Sequence, residues 1–213
     1  QCTQGLTDYH DMIITDNNTY ILQSYNDEVF DLSSIGGSEF QVVSSILRIQ
    51  EFDLNHNLIF DWIASDYLNI YDYENNLFIG NIPGQIEWMH GNSIEVDYDN
   101  NLIISNRKSS EIIKIDRNTG AIIWTMGGPT NEFTILNDPF NGVSWQHDVS
   151  RLENGNILIF DNGNYHTPHT SRAVEYQIDE INKIATLVWE YQNPYDYKSK
   201  AMGSAQRLPN GNT

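Results

Sequence analysis

The stretch that decides the fold is Trp145 to Asp179, WQHDVSRLENGNILIFDNGNYHTPHTSRAVEYQID. It opens with His147 next to an aspartate, and Asn154-Gly155-Asn156 then turns the chain back, since Asn and Gly accept positive φ at low cost. The apolar run ILIF follows and leads to a polar loop that contains His166, His169 and Arg172. This pattern predicts a β-hairpin module with a polar mouth.

The module recurs along the chain as two alternating elements. The first is a hairpin opened by a histidine, found as YHDMIITDNNTYIL from Tyr9, MHGNSIEVDYDNNLIISNR from Met89 and QHDVSRLENGNILIFDNG from Gln146. A degenerate fourth copy, GSAQRLPNGNT, starts at Gly203, where glycine stands in place of histidine. The second element is a hairpin that ends in tryptophan, at Trp62, Trp124 and Trp189.

Each interval between these tryptophans holds one hairpin of each kind, and therefore four strands. Apolar residues recur with period two, as in IIKI, NILIF and TLVWEY, which is typical of strands. Four antiparallel strands per repeat indicate a propeller blade. We therefore predict an all-β protein: residues 1–213 form one partial β-propeller of four-stranded antiparallel blades, about three and a half in number, with the fourth beginning near Gly203.

Two features depart from a regular closed propeller. Closed propellers have four to eight blades, whereas this chain supplies about three and a half. We therefore expect remaining blades or partner chains to cover the open edges. The first repeat also carries an extra polar stretch from Gln23 to Ser45, which we interpret as a long surface loop.

The composition excludes several kinds of partner. The chain has 29 acidic and 11 basic residues, for a formal charge of -18, so its surface would repel a nucleic-acid backbone. No apolar run approaches the roughly 20 residues that a membrane-spanning helix needs. A single cysteine, Cys2, cannot form an internal disulfide. We expect a folded protein stabilised by packing, with no nucleic-acid partner and no membrane span.

The candidate functional groups are polar residues at the openings of the strands. The first strand of each propeller blade is innermost, so the residues that open it meet at one mouth of the central channel. His10, His90 and His147 are predicted to occupy equivalent positions and to converge there. The residues predicted to rim this mouth are Asn92, Asn106, Arg107, His166 and Arg172. Basic groups gathered in an acidic protein predict a local anion site.

Structural roles compete with this interpretation. A His-Asp pair at a strand opening can tie one blade to the next by hydrogen bonds, and His10 lies in the least regular repeat, which favours such a role for it. The sequence has no HExxH motif, no paired CxxC and no EF-hand spacing, so we predict neither a metal site nor a cofactor.

Several motifs in the same order resemble a known family. The segments WMHGNSIEVDYDNNLIISNRKSSEIIKIDRNTGAIIWTMGG, WQHDVSRLENGNILIFDNGN, SRAVEYQID and GSAQRLPNGNT are similar to those of the PAPS-independent bacterial arylsulfate sulfotransferases, from about Trp88 to Thr213. The resemblance implies a six-bladed propeller, located in the periplasm or outside the cell. It also implies transfer of a sulfuryl group from a phenolic sulfate ester to a phenolic acceptor through a sulfated histidine.

The resemblance assigns residues one by one. His90 in MHGNS and His147 in QHDV match two active-site histidines of the family. An arginine is expected soon after FDNG, where this chain has His166, and Arg172 is the next basic residue that can reach the same sulfate. The histidine that becomes sulfated is expected in a later blade, after GSAQRLPNGN, and therefore outside this chain.

The chemistry agrees with these residue types, because sulfuryl transfer spreads negative charge over three oxygens, which imidazolium and guanidinium groups stabilise. Two other functions remain open at this point. One is a non-catalytic propeller that binds a sulfated or other anionic ligand. The other is a structural module of a larger surface protein.

Overall fold

The computed structural model describes residues 2, 6–81, 84–193, 195 and 198–213. Its strands, in chain order, are β1 (Thr7–Ile14), β2 (Thr19–Phe30), β3 (Gln41–Asp53), β4 (Leu58–Ile63), β5 (Ile86–Glu87), β6 (Gly91–Val96), β7 (Leu102–Asn106), β8 (Glu111–Ile115), β9 (Ile122–Gly127), β10 (Thr134–Leu136), β11 (His147–Arg151), β12 (Ile157–Asp161), β13 (Arg172–Asp179) and β14 (Ile184–Gln192). The described helical segments are short: 3-10 turns at Ser33–Ile35, Ala64–Asp66 and Ile70–Tyr73, and one α-helical turn, α1, at Glu74–Leu77.

The described strands form three sheets, and each has four antiparallel strands in sequence order. The first sheet is β1-β2-β3-β4, the second β6-β7-β8-β9 and the third β11-β12-β13-β14. Two short strands add parallel pairs, β5 to β3 and β10 to β14. The predicted all-β class and the four-stranded antiparallel sheets of a propeller are confirmed, whereas the number of blades in a closed ring stays a prediction.

Packing between the sheets explains why the central strands read as nearly continuous apolar runs. Leu102 and Ile104 of β7 lie in a cluster with residues of the first sheet, whereas Ile103 between them lies in a cluster with residues of the third. Successive side chains of a strand point to opposite faces. The second sheet is therefore buried on both faces.

The tryptophans that end the hairpins serve this packing. Trp62 and Trp124 are fully buried, and Trp62 Nε1 donates a hydrogen bond of 3.0 Å to the carbonyl of Gly120, which precedes β9 of the next sheet. An indole so placed buries a large apolar surface and satisfies its one donor. These tryptophans join neighbouring sheets.

The prediction of one long surface loop from Gln23 to Ser45 was wrong, because residues 23–30 belong to β2 and residues 41–45 to β3, and residues 31–40 connect them. The two strands continue past β1 and β4 as a ribbon, in which Tyr25 pairs with Leu47 and Phe30 pairs with Gln41, and β5 pairs with the β3 side of this ribbon. Alternate polar residues are what a strand with one solvated face requires. The Phe30 ring packs edge-on against Trp88, 6.0 Å between ring centroids, so the ribbon covers the segment that leads into β6.

Candidate functional site

The first hairpin of each sheet has the same turn, and this turn fixes the register of the inner strand. The backbone N–H groups of Thr15, Asp97 and Leu152 each donate to the carbonyl four residues further on. Leu208 makes the same bond, 2.8 Å, to Asn212. Strands β1, β6 and β11, which lead into these turns, lie side by side, with β6 between the other two.

Counting back from the turn shows which residues are equivalent. Five positions before it lie His10, Asn92, His147 and Gly203. His90 lies two positions earlier, because Gly91 separates it from Asn92, which holds the shared register. The prediction that all three histidines hold one position is therefore corrected: His10 and His147 share it, and Asn92 takes it in the second sheet.

The residue after each of these positions joins the inner strands. The N–H of Ile94 donates to Asp11 Oδ2 at 2.7 Å, and the N–H of Val149 donates to Ser93 Oγ at 2.9 Å. The N–H of Ala205 donates to Asp148 Oδ2 at 2.8 Å. The aspartate, or serine in the second sheet, thus has the structural role expected for the His-Asp pair.

His10 and His90 meet although they follow different registers. Their ring centroids are 5.2 Å apart in an edge-on arrangement. His90 reaches this place because its backbone adopts the left-handed region, with φ of 57°, between β5 and β6. Each ring contacts a carboxylate through Nδ1: His10 contacts Asp8 Oδ1 at 2.6 Å, and His90 contacts Glu87 Oε1 at 2.7 Å.

His147 has a different environment. Its ring is buried, Nδ1 lies 2.7 Å from Asn162 Oδ1, and Nε2 accepts a 3.1 Å hydrogen bond from the N–H of Met202. Because Nε2 is an acceptor, Nδ1 carries the hydrogen. Burial lowers the pKa of His147 to about 4, and the positive field of Arg107 and of the other two histidines acts in the same direction. His147 is therefore neutral at physiological pH.

Arg107 supplies the permanent positive charge near these rings. Its guanidinium lies 3.9 Å from the centroid of the Trp145 ring, and Nη2 donates to the carbonyl of Lys200 at 3.1 Å. Nε is buried and has no hydrogen-bond partner among the described residues. Burial lowers the pKa of Arg107, whereas the nearby Glu87 carboxylate raises it. Arg107 thus keeps donor capacity for an anion.

A cleft of about 230 Å³ lies beside the inner strands. His10, Asn92 and His147 line it, and its other walls are Tyr9, Asp11, Ser93, Asp148 and residues 202–204. Asn92 Nδ2 donates to the carbonyl of Gln146 at 2.8 Å, but Asn92 Oδ1 is buried without a partner within the described ranges. A larger cleft of about 580 Å³, beside Trp189 and Tyr191, contains Arg172 but none of the three histidines.

His166 and Arg172 belong to a separate buried network. His166 Nε2 lies 2.7 Å from Asp161 Oδ2, and its ring stacks on Phe140 at 4.3 Å. Arg172 donates to Asp161, Asp138, Glu190 and the carbonyl of Gly142 at 2.9 to 3.0 Å. These bonds use all five N–H donors of the guanidinium. The structure corrects the expectation for Arg172, since no donor remains for a bound anion.

The sequence interpretation missed the groups that hold the rings. Asp8 and Glu87 stand two and three residues before their histidines, and Asn162 lies in the FDNG motif. A carboxylate at short spacing before each histidine was the signal that could have identified the first two. Within the described ranges, no cluster of three or more His, Cys, Asp or Glu side chains is arranged to hold a metal ion.

Comparisons with known proteins bear on this site. A family model described as arylsulfotransferase (ASST) matches residues 4–213. Arylsulfate sulfotransferase AssT from Escherichia coli O6:H1 is 29% identical over 151 residues, which is 55% of this chain and 25% of that protein. The chain therefore spans about a quarter of the length of this curated relative.

A solved structure of a protein of unknown function from Bacteroides caccae aligns with 87% of this chain and 46% of its own, at 12% identity and a TM-score of 0.44. No helix among the described residues is long and apolar enough to cross a membrane.

Proposed function

Because this chain belongs to the arylsulfotransferase family, we propose that it provides part of a site that transfers a sulfuryl group from a phenolic sulfate ester to a phenolic acceptor. His90, His147, Arg107, Asn92 and His10 would surround the transferred group. His166 and Arg172 would support the site from the network around Asp161. The activity, the substrates and a location in the periplasm or outside the cell belong to this same proposal.

The observation that carries the proposal is the meeting of cationic and imidazole groups in a strongly acidic chain. The formal charge is -18, yet Arg107 lies close enough to His147 to affect its pKa, together with His10 and His90. Fixed donors aimed at developing negative charge are a large source of rate enhancement in group transfer. A sulfate monoester, whose single negative charge is shared by three terminal oxygens, suits such a group of donors.

The site residues can divide the chemistry among them. Arg107 has a partner-free Nε and carries charge at any physiological pH, so it would hold a sulfate oxygen. His147 is neutral and would accept a hydrogen bond from the hydroxyl of a phenolic acceptor once that hydroxyl replaces the Met202 N–H at Nε2. Asn92 Oδ1 would accept a hydrogen bond from a protonated group of substrate or water.

The remaining architecture is proposed on the same basis. Residues 203–213 would begin a further blade, which the turn at Leu208 and the tie from Ala205 to Asp148 support. Further blades or partner chains would then complete the ring around the site.

The test is sulfuryl transfer by the full-length protein from 4-methylumbelliferyl sulfate to a phenol, followed by fluorescence. Replacing His147 or His90 by alanine should lower kcat/KM by about 100-fold to 10,000-fold, the usual range for a lost acid–base group. His56→Ala is the matched control, since His56 is exposed in a distant turn and contacts Tyr20. Unchanged transfer by the His147 variant would refute the proposal.

A second candidate, a propeller that binds a sulfated ligand without turnover, is favoured by one observation. The Nε2 atom of His147 is already occupied by the Met202 N–H. Calorimetry of the full-length protein with a phenolic sulfate distinguishes the two, because saturable binding without product would support the binding protein.

A further inference from the structure

The Glu87 carboxylate is held in one place by several contacts. Glu87 lies in β5, which pairs with β3 beside Ser44. Its Oε1 accepts the hydroxyl hydrogen of Ser45 at 2.9 Å and lies 2.7 Å from His90 Nδ1. The carbonyl of Ser45 also accepts the backbone N–H of His90 at 3.2 Å. Ser45, Glu87 and His90 therefore form one rigid unit.

This carboxylate is ionised over the whole physiological range. Burial acts to raise the pKa of Glu87, but the hydrogen bond and charge of His90, the Ser45 hydroxyl and the Lys108 ammonium outweigh burial and lower it to about 2. An ionised carboxylate favours hydrogen on the ring nitrogen that it contacts, and it stabilises positive charge on that ring.

His147 has no such carboxylate partner, because its Nδ1 contacts the neutral amide of Asn162. Two imidazoles in one site, one facing a carboxylate and the other facing an amide, are suited to different proton-transfer roles. His90 Nε2 has no hydrogen-bond partner among the described residues, whereas His147 Nε2 accepts from Met202. His90 is therefore the ring with a nitrogen free to exchange a proton.

We propose that Glu87 is a positioning residue: it fixes His90 with hydrogen on Nδ1, so that His90 Nε2 exchanges the proton in sulfuryl transfer. This inference rests on the proposed function. The S–O bond of the ester breaks as a nucleophilic imidazole nitrogen, the one that the family resemblance implies, bonds to sulfur; the ester oxygen keeps the electron pair, takes a proton from His90 Nε2 and leaves as a neutral phenol. The S–N bond then breaks as the acceptor oxygen bonds to sulfur, and the O–H proton of the acceptor returns to Nε2, so the atoms and charges balance over one turnover.

Several other groups surround the His90 ring and Glu87. His10 from β1 and Tyr25 from β2 pack against the ring at 5.2 and 5.6 Å between centroids. Arg107 and Lys108, which follow β7, carry positive charge close to Glu87, and His147 opens β11 nearby. Glu87 is the carboxylate that contacts the ring among these groups.

The variant Glu87→Gln keeps the shape and an oxygen for Nδ1 but removes the charge. The full-length protein should be assayed with a series of phenyl sulfates whose leaving phenols differ in pKa. We expect a kcat loss of about 10- to 100-fold with unsubstituted phenyl sulfate, which needs a proton donor, and a much smaller loss with 4-nitrophenyl sulfate. Ser45→Ala is the matched control, since it removes the other partner of Glu87 and leaves the charge.

A merely structural role for Glu87 predicts equal losses with both donors, and that result, or no loss at all, would overturn the inference. A second readout does not depend on turnover. NMR of ¹⁵N-labelled histidines should find His90 with hydrogen on Nδ1 in the wild type and a larger share of the Nε2–H tautomer in Glu87→Gln. An unchanged tautomer would overturn the pairing. If the wild-type protein transfers nothing, the proposed function and the proton-exchange role both fail, and the tautomer measurement still decides whether Glu87 positions His90.

Discussion

Replacing Arg172 by methionine should destabilise the chain strongly. The side chains of Arg172 and Asp138 are fully buried, and the guanidinium gives Asp138 two hydrogen bonds of 2.9 Å. The substitution leaves Asp138 and Asp161 in the interior without their cation. Breaking a buried ion pair from one side costs about 3–5 kcal/mol. For a chain of this size, about 2–4 °C per kcal/mol gives a loss in Tm of about 6–20 °C.

Thermal unfolding followed by circular dichroism measures this loss. The control is Arg207→Met, which removes a pair with Glu175 at 2.8 Å in which the arginine side chain is 26% exposed. Partly exposed pairs contribute about 1 kcal/mol or less. If Arg172→Met lowers Tm no more than Arg207→Met does, the guanidinium is not structural and the reasoning fails.

The pH dependence provides a second check on the same network. Burial acts to raise the pKa of Asp138, but the hydrogen bonds of Arg172, Tyr176 and the Phe140 N–H outweigh it and hold the pKa below its usual value. A lowered pKa contributes stability that is present above the unfolded value, near 4, and is lost as the pH falls through the lower folded value. The stability difference between the wild type and Arg172→Met should therefore shrink below about pH 4. A difference that stays constant down to pH 2 would contradict this.

Two further predictions concern the stability of the fold. Ser93→Ala removes the acceptor of the Val149 N–H and should cost about 1–3 kcal/mol in urea unfolding, whereas Ser33→Ala, at an exposed turn, should cost far less; equal costs would exclude a role for the tie. Burial raises the pKa of Glu111 from 4.5 to about 7, so the folded state retains a proton that the unfolded state releases, and stability falls as the pH rises between these values. Relative to Glu111→Gln, the wild type should lose about 3 kcal/mol from pH 4 to pH 8, at about 1.4 kcal/mol per pH unit, and parallel stability curves would contradict this assignment.

Much of the fold could be predicted because strand periodicity and turn chemistry are local signals. Runs such as IIKI and NILIF became β8 and β12, and Asn154-Gly155-Asn156 became a turn. The stretch from Gln23 to Ser45 failed because a ribbon with one solvated face has a polar composition similar to that of a loop. Its pairing depends on residues more than ten positions apart, which local pattern does not reveal.

The candidate site was predictable to the level of its histidines and not to the level of their partners. Motif similarity placed His90 beside His147, but two inserted residues moved His90 out of the common register, and only the turn hydrogen bonds show this. Arg172 resembled a free ligand group in sequence, because the carboxylates that occupy it lie on β12, on β14 and before β11, distant along the chain. Tertiary packing brings these carboxylates to Arg172, and local sequence patterns do not show it.

The ties from Asp11, Ser93 and Asp148 have a consequence for how the site can vary. Each follows directly after His10, Asn92 or His147. The side chain that bonds to the neighbouring inner strand and the side chain at the repeated position before it therefore belong to consecutive residues. The lining residue differs among the repeats, as His10, Asn92, His147 and Gly203, while the hydrogen bond that the next residue accepts recurs in the first three. The hydrogen bonds between inner strands thus keep the strand register the same in each repeat, while the residue at the position before them varies.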